Sequence, residues 1–544
     1  MPHLEFHGKQ SVYAHHLSVP YRTLDIVRNK SILPRGAAAE EGNLIVHGDN
    51  LHALKALMPR YAGRVNCIYI DPPYNTGEEG WCYNDNVNSE LMQRWLQENG
   101  AVDGEDEERH EKWLCMMWPR LQLLRELLTE DGVIFISIDD HEQHRLRMMM
   151  DDVFGEDSFL ATFIWHHRKS SQNDIDVSLS HNYILCYSKD SEEFRFKREE
   201  IDESGFSNPD NDPRGTWKAD PMDAPGVREN LSYPITNSKT GKVYFPPAGR
   251  HWRFSQDKYE EALADNRIVF GKRGTTKPQY KRFLFEAKEA GKNVFTIWSD
   301  VETATDATRQ INQIFGEKNK FKTPKPVSLV KRILNISTGK NAIILDSFAG
   351  SGTTAHAVLE LNKEDGGNRK FILVECEDYA DEITAERVRR VINGVPNAKN
   401  GALKAGLGGT FAFCKLGREL DIEKILTGED LPDYDALARH VSYTATGAAL
   451  ESIESGADHF FGENATHRMH MIYRPDVDFL CSNESAITRE LAQRIGAAAK
   501  KAGKTALVFA PWKFISQKEL TQNGVTFCQL PYAIHRMFGN SLGE

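Results

Sequence analysis

The sequence predicts an α/β fold built on a parallel sheet, interrupted by an inserted module and followed by a further C-terminal domain. Three observations carry this. Apolar strand-like runs alternate with amphipathic helical runs from about residue 43 to 190 and again from about 322 to 395. Between them, from about Ser191 to Gln310, the pattern breaks into short segments rich in Pro, Gly and Asn. At 544 residues the chain has room for roughly two to four domains.

The elements follow in order. "NLIVHGD" (Asn43 to Asp49) reads as a strand, Leu51, Leu54 and Leu57 mark a helix, and "VNCIYI" is the next strand. That strand–helix–strand unit with a short crossover is the building block of parallel sheets. Leu114, Met117, Trp118, Leu121, Leu124 and Leu128 predict a helix over about Lys112 to Thr129, feeding a strand over Val133 to Ile138. A helix over about His141 to Phe154 and strands at "FLATFIW" and "NYILCYS" complete this half. After the irregular stretch, "VSLVKRIL", "AIILDSFAGSGTTAHAVLEL" and "RKFILVECED" restore the alternation. The boundaries expected from this are an N-terminal arm over 1–40, one half-domain over 41–190, an insert over 191–315, a second half-domain over 316–400, and a C-terminal domain over 401–544.

Composition is that of a globular protein, 40% hydrophobic and 27% charged, and the net charge of -11 excludes a chain that is basic throughout. A nucleic-acid ligand would need a local basic surface. One exists: between Leu231 and Asp300, thirteen Lys/Arg stand against seven Asp/Glu, interleaved with Tyr244, Phe245, Trp252, Phe254, Tyr259, Tyr280, Phe283 and Trp298. The cluster "GKRGTTKPQYKR" makes Lys272, Arg273, Lys277, Lys281 and Arg282 the candidate phosphate contacts. The eight cysteines are scattered without a C-x-x-C pair, as expected of reduced thiols and not of a disulfide framework or zinc site. No leader-like N-terminus and no long apolar run is present, so a cytoplasmic location without membrane contact is expected.

Two motifs carry chemistry. In "AIILDSFAGSGTTAHAVLEL" a strand, a turn containing Gly350 and Gly352, and a helix succeed one another. Asp346 at the strand's end would repel a pyrophosphate, so a cationic ligand suits the corner better. Glu375, ending the next strand, can accept hydrogen bonds from ribose hydroxyls. A ribose on one side and positive charge on the other describes S-adenosylmethionine. In "VNCIYIDPPYNTG" the strand stops on Asp71, Pro72, Pro73 and Tyr74. The prolines fix φ and supply no N–H, leaving the Asp71 carboxylate and backbone carbonyls as acceptors converging on an exocyclic amine. Tyr74 offers a face for an extruded base, and stacking of about 1–3 kcal/mol offsets much of the flipping cost.

"DPPYNTG" and "DSFAGSGTT" together resemble the catalytic and cofactor motifs of amino-group DNA methyltransferases, in the circularly permuted order called the β class. "KTPKPVSLVKRIL" resembles the family's motif that lies against the methionine end of the cofactor, and "HNYILCYSK" and "TIWSDV" are similar to segments shared with the modification (Mod) subunits of Type III restriction–modification systems. The resemblance spans about residues 40 to 395. It implies a Rossmann-like S-adenosylmethionine-dependent methyltransferase fold with the insert as target-recognition domain. It also implies methyl transfer to adenine N6 in duplex DNA by base flipping, with cytosine N4 as the alternative target. By the same carry-over Asp346 lies near the cofactor's amino group, Phe348, Gly350, Gly352 and Thr353 line its path, Glu375 holds the ribose and Asp49 lies near the adenine. Lys322 and Pro324 lie against its methionine end. Asn182 stands where many relatives have an acid. No metal is implied. A homodimer and a restriction/helicase subunit are the partners the resemblance implies, with oligomerisation assigned to the C-terminal domain. A DNA-recognition subunit of a larger complex is the alternative from a different class.

Overall fold

The computed structural model describes residues 3–33, 42–77, 108–171, 176–271, 275–419 and 431–530. They divide into two compact units: Met1–Arg195 with Phe295–Glu544, and Phe196–Val294. Among the described residues no helix is long and apolar enough to cross a membrane.

The first unit is built on a ten-stranded sheet. Its strands are β1 (Arg22–Ile26), β2 (Asn43–His47), β3 (Val65–Ile70), β4 (Leu128–Ile138), β5 (Phe159–Trp165), β6 (Asn182–Ser188), β7 (Ile297–Trp298), β8 (Ile343–Asp346), β9 (Lys370–Glu375) and β10 (Phe411–Glu419). Across the sheet they run β1-β10-β2-β9-β8-β3-β4-β6-β5-β7. The six strands from β10 to β4 are parallel, β6 is antiparallel to both its neighbours, and β1 is antiparallel to β10. The central strands are continuous apolar runs because helices cover both faces.

The order of those strands creates the site. β8 passes through helix α6 (Thr353–Asp365) to β9 on one side. β3 leads through α2 (Arg109–Leu127) to β4 on the other. At β8 and β3, which pair in parallel, the chain therefore leaves in opposite directions, opening a crevice at their carboxyl ends. The two sequence motifs sit at those two ends. Helix α1 (Asn50–Tyr61) starts sharply because Asp49 Oδ1 caps it, accepting from the Leu51 and His52 amides at 2.9 and 3.3 Å. α3 (Gln143–Phe154) and α5 (Val327–Ser337) complete the cover around the crevice.

Three expected boundaries are corrected. The 191–315 insert is shorter, because β7 extends the main sheet beside β5 and Trp298 stacks on Phe163 with centroids 4.5 Å apart. α4 (Ala304–Phe315) then buries Ile311, Ile314 and Phe315 within the first unit. The 1–40 arm contributes a strand, since β1 pairs with β10. The C-terminal domain starts later than 401, because β10 is itself a parallel neighbour of β2. Helix α2 also begins at Arg109 and gives way to strand at Leu128, so β4 starts before the expected Val133.

Beyond β10, strands β11 (Phe460–Glu463), β12 (His467–Met471), β13 (Thr505–Ala510) and β14 (Val525–Gln529) form a four-stranded sheet in that order. Helices α7 (Tyr434–Thr446) and α8 (Arg489–Lys501) contribute to separate cores around it. α7 ties this region to the main sheet's cover: the Tyr443 hydroxyl donates to Glu126 at 3.1 Å. The second unit, Phe196–Val294, has small antiparallel sheets around Met222, Ile235, Trp252, Tyr259 and Ile268.

Candidate active site

β3 delivers Asp71 at the crevice, and the Pro-Pro segment is clamped from behind. Trp113, fully buried on α2, donates its indole N–H to the Pro73 carbonyl at 2.7 Å. Asn75 adopts a left-handed φ of 60° and is buried. Its amide donates to Glu142 Oε1 at 2.6 Å and to the Arg109 carbonyl at 3.2 Å. Glu142 is wholly buried and also pairs with His110 Nδ1. The turn is thus over-determined, which is what a rigid acceptor array requires.

Asp71 meets a cation. Lys325 Nζ donates to Asp71 Oδ2 at 2.5 Å and stands 5.0 Å from the centroid of the Tyr74 ring. Among the described residues Asp71 Oδ1 is buried without a hydrogen bond of full geometry, although the Tyr74 hydroxyl lies within looser hydrogen-bonding reach of the carboxylate and feels its charge. Burial first, then that charge, hold the Tyr74 phenol well above its ordinary pKa. Asn182 Nδ2 donates to the Tyr74 hydroxyl at 3.3 Å, fixing the ring from the neighbouring strand system. A carboxylate with one orphaned oxygen, an aromatic face beside it and an ammonium already bound there is a receptor for an amine.

Across the crevice the glycine turn opens onto α6. Gly350 and Gly352 have φ of 51° and 77°. A Cβ on Gly352 would lie 3.0 Å from the Thr384 carbonyl oxygen, so a side chain there is both strained and crowded. Asp346, 3% exposed, accepts from the Thr354 hydroxyl at 2.5 Å and the Phe348 amide at 3.1 Å. Glu375, 5% exposed, accepts from the Gly350 amide at 2.7 Å and the Glu377 amide at 3.0 Å. Burial pushes both carboxyls up to about 7 against those hydrogen bonds, and for Asp346 the charges of Asp71 and Glu375 add to it. Three acids so placed favour a cationic ligand, whose charge restores their ionised form. Arg387 braces the turn from inside, donating to Thr353 Oγ1 at 2.7 Å and Ser351 Oγ at 2.9 Å, and its burial lowers it to about 9. Thr353 in turn donates to the Lys325 carbonyl at 3.1 Å, which links the turn to the lysine on Asp71.

The structure brings Asp71, Pro72, Pro73 and Tyr74 to one wall and Asp346, Phe348, Gly350, Gly352, Thr353 and Glu375 to the other. Asp49 is occupied differently: besides capping α1, its Oδ2 accepts from buried Arg120 at 3.2 Å. In the "KTPKP" segment Pro324 is buried, while Lys322 is exposed and Lys325 is the lysine that reaches the site. Among the candidate phosphate contacts, Lys272 and Arg273 lie outside the described residues. Lys281 is fully buried, its ammonium donating to Asp210 at 2.5 Å and Asp212 at 2.9 Å, so it is a core ion pair and not a phosphate contact. Lys277 is half exposed but paired with Asp223 at 2.7 Å, and Arg282 is half-buried. Lys325, Trp113 and Glu142 were not singled out from the sequence. For Lys325 a signal existed, its place between Pro324 and Pro326.

The fold and this crevice define a Rossmann-like α/β protein in which the two sequence motifs meet at the carboxyl ends of adjacent parallel strands. Residues 65–386 match the family model described as DNA methylase, and the chain belongs to that family. It is 37% identical over 447 residues to the Type III restriction-modification enzyme StyLTI Mod subunit of Salmonella typhimurium, covering 76% of this chain and 65% of that subunit. To the EcoPI Mod subunit of Escherichia phage P1 it is 31% identical, covering 74% of this chain and 70% of the relative. To the Type II methyltransferase M.KpnI of Klebsiella pneumoniae it is 32% identical, covering 60% and 79%. The chain thus spans about two thirds of the length of the Mod subunits named here. Among solved structures, the M1.HpyAVI-SAM complex aligns with a TM-score of 0.32 at 14% identity, covering 63% of this chain and 98% of that one.

Proposed function

We propose that the chain is a site-specific DNA methyltransferase that transfers a methyl group from S-adenosylmethionine to adenine N6 in duplex DNA. The observation that carries this is the Asp71 carboxylate, one oxygen orphaned and the other holding an ammonium over Tyr74, facing an acid-lined glycine turn.

The residues present fit the cofactor. Asp346 and Glu375 are near-neutral acids that a cation would ionise, and a Cβ on the turn would clash. When bound, S-adenosylmethionine supplies a methyl group activated by a positively charged sulfur. The protein does the rest by placement. Asp346 would face the cofactor's ammonium and Glu375 its ribose hydroxyls. With the Pro73 carbonyl held by Trp113, the Pro72 carbonyl and Asp71 remain to accept the two hydrogens of the target amine. Accepting both raises electron density on the nitrogen that attacks. Tyr74 stacks the extruded base, and Asn182 fixes that ring. Lys325 must yield Asp71 as the amine arrives.

An aspartate at position 71 favours adenine over cytosine N4, for which serine is the commoner residue in the resembling enzymes. The permuted motif order, the similarity to Mod subunits and the separate Phe196–Val294 unit support assigning target recognition to that unit. They also support a homodimer that acts on DNA in the cytoplasm and can associate with a restriction/helicase subunit. Expression in a bacterial host stripped of its own DNA methyltransferases, followed by modification-sensitive sequencing of the genome, tests the proposal. Methylated adenine in one sequence context is expected; an unmodified genome, or modified cytosine alone, would sink it.

A further inference from the structure

The end of strand β5 carries four consecutive side chains that the chemistry above does not use: His166, His167, Arg168 and Lys169. Their backbone is pinned to three different segments. The His166 amide donates to the Trp298 carbonyl at 3.2 Å, the His167 carbonyl accepts from the Ala304 amide at 3.1 Å, and the Arg168 amide donates to the Ser180 carbonyl at 3.3 Å. Just before them Trp165, buried, donates its indole N–H to the Glu302 carbonyl at 3.0 Å. These bonds hold the backbone of His166, His167 and Arg168 in place, and Lys169 follows directly.

Their location is set by sheet register. Trp165 pairs with Asn182, and Asn182 touches the Tyr74 hydroxyl, so the strip begins one residue beyond a strand pair that reaches the catalytic tyrosine. The strip also carries no acidic side chain. Burial, and then the positive charges of Arg168, Lys325, His181 and His166, push His167 down to about 4, so at neutral pH it is a neutral ring with an N–H to donate. Among the described residues no carboxylate forms an ion pair with His166, His167 or Arg168. Lys169 is exposed, and Asp306, whose carboxyl its charge helps to lower, is itself held by Thr303 and Arg309. Arg168 and Lys169, side by side and without an ion pair among the described residues, repel each other and favour an anion that joins them.

We propose that His166, His167, Arg168 and Lys169 form a phosphate site that grips the backbone of the DNA strand carrying the target base, beside Asp71. This rests on the methyltransferase function proposed above and adds a site for the sugar-phosphate chain next to the extruded nucleotide. Arg168 and Lys169 supply charge, and the histidines donate hydrogen bonds. Such contacts position the strand without reading its sequence.

The test measures binding of a short fluorescein-labelled duplex of mixed sequence across a salt series, for the wild type, Lys169→Gln, and Arg168→Gln/Lys169→Gln. Each neutralised phosphate contributes a slope of about -0.9 to log K against log salt. The double variant is therefore expected to lose about one to two units of slope and about tenfold in affinity at moderate salt, with S-adenosylmethionine affinity and melting temperature unchanged. Lys169→Gln alone, an exposed substitution that leaves the fold intact, is expected to lose about one unit. Wild-type slopes in both variants, with wild-type binding and transfer intact, would overturn the phosphate site alone. A wild-type protein that neither binds the duplex nor methylates DNA would overturn the proposed function and this site with it.

Discussion

Asp346→Asn should stabilise the ligand-free protein while weakening cofactor binding, and the size of both effects follows from the site. Asp346 has a native pKa of about 7 against an ordinary 3.8, because it is buried beside other acids. The folded state therefore binds the proton more tightly than the unfolded chain does. Stability from this group is fully present below about pH 4 and is lost as pH rises towards 7. The loss is about 4 kcal/mol, taking 1.36 kcal/mol per pKa unit. Asparagine carries no such penalty. It does forfeit the charge-strengthened bond from Thr354 at 2.5 Å, a cost of about 1–3 kcal/mol. The net gain at pH 8 is about 1–3 kcal/mol, which raises the melting temperature by a few degrees; at pH 5 the gain vanishes or reverses. Thermal unfolding of both proteins from pH 5 to 8.5 without cofactor reads this directly, and calorimetry should give at least tenfold weaker S-adenosylmethionine binding for the variant. A difference in melting temperature that stays constant with pH would refute the claim that a buried, charge-strained Asp346 is kept for a cationic ligand.

Three further perturbations separate the parts of the site. Asp71→Asn preserves shape but removes the charged acceptor, so kcat should fall by about 10²–10³ with cofactor affinity within about twofold, and single-turnover methylation would show it. Trp113→Phe frees the Pro73 carbonyl in a buried place; a loss of about 1–3 kcal/mol should appear in kcat more than in KM, and an unchanged kcat would mean the clamp is not transmitted to the acceptors. Gly352→Ala forces a left-handed φ of 77° on a side chain whose Cβ meets the Thr384 carbonyl. A cost of about 1–2 kcal/mol in stability and a weaker cofactor complex are expected, measured by melting and calorimetry.

What could be seen in the sequence was what is local. "DPPY" and the glycine turn each combine a strand end with residues whose backbone limits are fixed by type, so Asp71, Asp346 and Glu375 could be placed at strand ends before any fold was known. Lys325 could not. It meets Asp71 across 254 residues of chain, and the choice between it and Lys322 depends on the left-handed turn at Thr323. Lys281 misled for a related reason: local charge counts register an excess of lysine but not that Asp210 and Asp212 fold over one of them. Boundaries failed where pairing decides. β7 is two residues long and β10 follows a glycine-rich loop, so neither periodicity nor composition assigns them to the main sheet; their partners β5 and β2 do.

The central claim is that Asp71 and Tyr74 present an adenine amine for methyl transfer. Its most direct test is to incubate purified protein with S-adenosylmethionine and bacterial genomic DNA, digest the DNA to nucleosides and identify the product by mass spectrometry, alongside Asp71→Ala. N6-methyldeoxyadenosine from the wild type and none from the variant is the predicted result. N4-methyldeoxycytidine alone, or undiminished product from Asp71→Ala, would contradict it.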